Sequence, residues 1–123
     1  MNSEIREEKP RDIAVRTFEF ARRVVRLCQT VERSGVNRAL VNQLLRAATS
    51  VGANVEEAQG GQSRADFISK MSIACKEARE SHYWLRLLAA AEIIPESKLT
   101  TLIDEPNQLI AILTTIIKKS KAP

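Results

Sequence analysis

A chain of 123 residues, 44% of them hydrophobic, can bury one domain-sized core without disulfide or metal staples. An aromatic share of 4%, with only four Gly and four Pro, disfavours a β-sandwich or barrel. No apolar run is long enough to cross a membrane, because Arg86 and Glu92 interrupt the stretch from Trp84 to Ile94, and a net charge of +4 permits a polyanionic partner without requiring one.

In chain order, Met1 to Pro10 is charged and lacks the apolar centre of a secretory signal, so it reads as a frayed arm on a protein of the reducing cytoplasm. Cys28 and Cys75 fall in helical patterns at no metal spacing and are expected to be buried, reduced thiols. The first helix, about Arg11 to Arg33, carries Ala14, Phe18, Ala21, Val25 and Cys28 as its core seam at alternating four- and three-residue steps. Ser34-Gly35-Val36 separates it from a second helix, about Asn37 to Gln59, with Leu40, Leu44, Ala47, Ala48, Val51, Val55 and Ala58 on one side. After Gly60-Gly61-Gln62, Ser63 opens a third helix as a side-chain cap three residues before Asp66. Its seam is Phe67, Met71, Ala74, Ala78, Ser81, Leu85 and Leu88. Beyond Ile94-Pro95, a fourth segment from about Glu96 to Lys119 uses Leu99, Leu102, Leu109, Leu113 and Ile116. Pro106 implies a kink there, or a restart capped by Asp104.

Short links make successive helices antiparallel neighbours, so the fold class is all-α, an up-down-up-down four-helix bundle. The bundle covers 11–119, between an arm at 1–10 and a basic tail at 120–123. Small residues on the second helix (Ala47, Ala48, Ser50, Gly52, Ala53) and the third (Ala74, Ala78, Ser81) predict that this pair packs closest.

Apolar residues exceed what one core needs. Phe20, Val24 and Leu27 beside the first seam, and Tyr83, Trp84, Leu87, Ala91 and Ile94 on the third helix, are expected to form a self-association surface, unless loops and the arm cover them.

Catalytic chemistry is not indicated. The single histidine, His82, follows Arg79 rather than Glu by three residues, so the Glu-x-x-His metal motif of ferritin-like bundles is absent. Glu56, Glu57, Glu77 and Glu80 lack matching histidines for a metal. Gly60-Gly61-Gln62-Ser63 matches no phosphate-binding fingerprint. Neither a catalytic residue, a metal nor a cofactor is therefore expected, and the enzyme class is disfavoured. A polar stripe on the second helix (Arg46, Ser50, Asn54, Glu57) needs partners if buried, from Arg46 itself or from polar side chains of the third helix, and reads first as a register-fixing network. Arg22, Arg26 and Arg33, flanked by Arg16 and Arg23, with Lys118, Lys119 and Lys121 at the end, form the nucleic-acid-binding candidate set. The competing reading is a solvated helix face with Asp12, Glu19 and Glu32 interspersed.

The run from Gln43 to Glu57, QLLRAATSVGANVEE, resembles the second-helix signature of the bacterial four-helix-bundle family first named for proteins encoded in 23S rRNA intervening sequences. Phe67, Ala74, Glu77, Glu80, Leu85 and Leu88, and the tail Leu109 to Lys118, are similar to that family as well. The chain departs from the pattern at Ala58-Gln59-Gly60 and at Pro106. The resemblance implies a homo-oligomeric bundle, typically a pentameric ring, with Asn54, Glu57, Glu77 and Glu80 as structural residues. A related branch, the accessory variability proteins of diversity-generating retroelements, implies RNA or DNA and a reverse transcriptase as partners; no membrane partner is expected, given the interrupted apolar stretch.

Overall fold

The computed structural model describes residues 10–123, Pro10 and Arg11 by their backbone alone. The arm expected at 1–10 thus lies outside the described residues except for Pro10, which opens α1. Four helices follow: α1 (Pro10–Cys28), α2 (Gly35–Gln59), α3 (Arg64–Ala90) and α4 (Thr100–Lys121), the last preceded by a 3₁₀ turn at Glu96–Lys98. Each helix packs mainly on its two neighbours in cyclic order, and α2 and α3 share the most extensive contact, as their small residues imply. Cross-helix pairs fix the antiparallel sense: Arg16 meets Glu105, Cys75 meets Thr114, and His82 meets Asn107.

Local chemistry explains the ends. Pro10 gives up an N–H that the first turn would leave unbonded anyway, and Asp12 complements the positive end of the helix dipole. α1 stops at Cys28, five residues before the expected Arg33, where the Thr30 hydroxyl donates to the Leu27 carbonyl at 2.7 Å. At the start of α3, Ser63 Oγ accepts from the Asp66 N–H at 3.0 Å, as its sequence position implies. α4 runs without a break through Pro106, so the fourth segment neither restarts nor needs Asp104 as a cap. Leu102, Pro106, Leu109 and Leu113 form one buried stripe, in which the proline ring serves as an apolar core group. The helix extends to Lys121, absorbing half of the expected tail.

The first seam is corrected. α1 buries Ile13, Thr17, Phe20, Val24 and Leu27, whereas Phe18 (64% exposed) and Val25 (37%) face outward beside Val15. Both stripes have helical spacing, and the buried one passes through a threonine, which a hydrophobicity pattern skips. Thr17 is tolerated there because its hydroxyl donates to the Ile13 carbonyl at 2.8 Å, leaving no orphaned polar group. Opposite it sits Gly52 of α2, where an added Cβ would lie 3.3 Å from the Thr17 carbonyl oxygen. Gly52 therefore brings α2 close to α1, not to α3. Ile94, expected on an outer flank, is also in the core: Glu92 adopts φ 60° beyond the end of α3, and the reversed chain turns Ile94 inward.

Both cysteines are buried and free. Burial pushes the Cys28 thiol up to about 11, so it stays protonated at neutral pH.

Candidate nucleic-acid interface

Cations that α1 and α3 carry along their lengths are gathered by the bundle into two open grooves, one on each flank of α4. In the first, Arg22, Arg23 and Arg26 of α1 stand over Leu27 and Leu102, with Lys98 from the 3₁₀ turn opposite; the groove has a volume of about 520 Å³. Arg23 Nη2 donates to Thr101 Oγ1 at 2.8 Å, which fixes its guanidinium against α4. Arg22 Nε donates to Glu19 Oε1 at 3.0 Å, and this bond, with its charge pairing, lowers the Glu19 carboxyl and raises the Arg22 guanidinium.

The second groove, about 470 Å³, lies between α3 and the last two turns of α4. Lys76 and Arg79 come from α3, Lys118 and Lys121 from α4, over a floor that includes Cys75 and Ile117. Each pair is three residues apart and so stands on one ridge of its helix. The register that sets Cys75 Sγ 3.7 Å from Thr114 Oγ1 brings the two ridges face to face. Neither groove has an acidic lining residue. No ion pair joins Arg26, Lys98, Lys76, Arg79, Lys118 or Lys121 to another described residue. Part of the lysine charge at the end of α4 complements the negative pole of that helix; Lys76 and Arg79, in mid-α3, serve no such purpose.

Two of the candidate arginines do other work. Arg16 grips Glu105 at 2.9 Å and donates to Gln108 Oε1 at 3.1 Å, tying α1 to α4. Arg33 is not on α1; it lies in the link to α2, its guanidinium donating to Asn42 Oδ1 of that helix at 2.7 Å, and it does not line the groove of Arg22, Arg23 and Arg26. Lys119 is exposed on the outer side of α4. Sequence reasoning missed Lys76, Arg79 and Lys98. Their only sequence signal is the three-residue spacing of Lys76 and Arg79, repeated by Lys118 and Lys121.

The polar stripe of α2 finds its partners in three ways. Arg46 pairs with Glu77 at 3.3 Å and with Glu80, clamping α2 to α3, and Glu80 also accepts from Trp84 Nε1 at 3.0 Å. Asn54 donates to the Ser50 carbonyl at 2.9 Å within its own helix, and Glu57 reaches Lys70 of α3 at 3.9 Å. With Arg46 between them, Glu77 and Glu80 form a salt-bridged clamp, and no metal-holding group of three ligands occurs among the described residues. Burial, with a smaller push from Arg86, lowers the His82 imidazole against the opposing pull of Asp104.

Of the expected self-association residues, Phe20, Val24, Leu27 and Ile94 are sequestered in the core and cannot line a partner surface without unfolding it. Tyr83 remains exposed, packed edge-on to a half-buried Trp84 with ring centroids 5.1 Å apart; Leu87 is half-buried and Ala91 exposed. Of the outward stripe of Val15, Phe18 and Val25, the last two belong to the expected core seam, and Phe18 places an exposed aromatic ring one turn before Arg22.

The model of the 23S rRNA-intervening sequence protein family matches residues 10–115. A solved structure of similar fold, at 38% identity and a TM-score of 0.78, covers 86% of this chain and 98% of its own. It is a crystal structure of a protein of unknown function from the S23 ribosomal protein family of Bacteroides thetaiotaomicron. No curated protein is a significant match. Among the described residues, no helix is long and apolar enough to cross a membrane.

Proposed function

Starting from a chain that belongs to the 23S rRNA-intervening sequence protein family, we propose a non-enzymatic helical bundle that binds structured nucleic acid, RNA or DNA, through its phosphates in the cytoplasm. The observation that carries this reading is the pair of acid-free grooves, in which Arg22 alone among the lining cations has an ion-pair partner, Glu19, among the described residues. Uncommitted arginine and lysine side chains release condensed counterions when they replace them on a phosphate backbone. Arg22, Arg23 and Arg26 are the first contacts, and Lys118 and Lys121 the second; Lys119 adds charge beside them. The test is binding to structured RNA by fluorescence anisotropy across a salt series. An Arg22→Ala/Arg23→Ala/Arg26→Ala variant with unchanged helicity should lose affinity, and its salt slope should flatten by about 2–3, near 0.9 per lost phosphate contact. Salt-insensitive binding, or an unaltered variant, overturns the reading.

A second reading, an interaction scaffold, is favoured by the outward Val15, Phe18 and Val25 stripe together with Tyr83. In this reading the stripe joins copies of the chain, as the pentameric ring of the family resemblance implies, or docks a protein such as a reverse transcriptase. Self-association also multiplies the basic grooves. A protein that sediments as a monomer at micromolar concentration removes the assembly.

A further inference from the structure

We infer that the two grooves act together, cradling one turn of an RNA double helix laid diagonally over the outer face of α4. The inference rests on the phosphate-binding reading above and adds the path and the partner's form. α4 has 22 residues, which at a rise of 1.5 Å make a rod of about 33 Å. One groove flanks its first turn on the α1 side, the other its last two turns on the α3 side. Their centres are consequently about 25–30 Å apart by the same rise, with the exposed side of α4 between them.

That strip is nearly neutral. Asn107, Ala111, Thr114 and Thr115 are exposed along it. Its one exposed carboxylate, Asp104, already accepts from Gln108 Nε2 at 2.8 Å. A backbone crossing here meets cations at both ends and little repulsion between.

The partner's form follows from rigidity and spacing. A flexible single strand loses conformational entropy when two fixed clusters hold it, a cost that a rigid duplex avoids, and neither groove is lined by an aromatic ring on which unpaired bases would stack. A duplex presents phosphates at a fixed repeat. One turn of B-form DNA measures about 34–36 Å. A-form RNA has a shorter turn and is bound mainly through shape and backbone, so a span of about 25–30 Å from the helix rise favours RNA.

The experiment measures affinity of the full chain for a blunt 20-bp RNA duplex, a 20-bp DNA duplex, a 20-nucleotide single strand and a 7-bp RNA duplex, too short to reach both grooves. The long RNA duplex should bind at least tenfold more tightly than the other three. Lys76→Ala/Arg79→Ala and Arg26→Ala/Lys98→Ala, all at exposed positions, should each weaken it at least tenfold, leaving the 7-bp affinity within threefold. Ala111→Glu, an exposed midpoint of the strip, should weaken the long duplex at least fivefold while circular dichroism is unchanged. Equal affinity for long duplex, short duplex and single strand, or an Ala111→Glu protein that binds as before, overturns the cradle and leaves phosphate binding standing. Tighter binding of the DNA duplex overturns the choice of RNA. Absence of salt-dependent binding to all four probes overturns both.

Discussion

Two phenylalanines two residues apart on α1 make the sharpest test of which stripe faces the core. Phe20 is 1% exposed and Phe18 64%. Truncating Phe20 to Ala removes a buried ring beside Val24 and leaves a cavity that helix packing closes only in part, which costs about 3–5 kcal/mol. Unfolding entropy near 2.1 cal/mol/K per residue gives about 0.26 kcal/mol/K over 123 residues. The corresponding fall in Tm is about 12–19 °C. Phe18→Ala removes a ring largely in water and should change stability by no more than about 0.5 kcal/mol, or about 2 °C. Urea titrations of the wild type and both variants, each at two protein concentrations tenfold apart, provide the assay. If Phe18 joins copies of the chain, its truncation has an effect that shrinks on dilution. Equal and concentration-independent losses from the two variants would refute the assignment of the faces.

Three further outcomes follow from the packing and the charges. Gly52→Ala should lower stability by about 1 kcal/mol by urea titration, because crowding at the Thr17 backbone, worth about 1–3 kcal/mol, outweighs up to about 1 kcal/mol of helix propensity; a stabilised variant would show that α1 can move away. Arg46→Ala leaves the buried Glu77 carboxylate without its cation and should cost about 1–2 kcal/mol, discounted because Arg46 is half exposed. In a double-mutant cycle with Glu77→Gln the losses should be less than additive; strict additivity would mean that the clamp carries no coupling. The His82 imidazole is held below its ordinary 6.5, so the unfolded chain takes up a proton first as pH falls. Stability should therefore drop between about pH 7 and 5 more in the wild type than in His82→Gln, and parallel pH profiles would refute the shift.

Helical class, element order, the Ser63 cap and the α2–α3 seam were all legible, because each is encoded by spacing within a short window. Met71, Ala74, Ala78, Leu85 and Leu88 are buried as their heptad pattern implies. The face of α1 was not legible: two apolar stripes compete on that helix, and the choice depends on Gly52, distant in sequence, making room for Thr17. Glu77 and Glu80 were legible as structural residues, but not their joint hold on Arg46, a contact across 31 and 34 residues. The candidate interface was half legible. Arg22, Arg23 and Arg26 lie close enough in sequence to be seen as a cluster, whereas Lys76 and Arg79 join Lys118 and Lys121 only through the register of α3 on α4.

The sequence by itself determined that four amphipathic helices form and fold back on one another, since periodicity and turn residues act locally. Only the tertiary structure decided which apolar stripe is covered, which arginines are consumed by ion pairs, and where the remaining cations converge. Those outcomes depend on groups many residues apart competing for the same neighbours, and no local pattern records who wins.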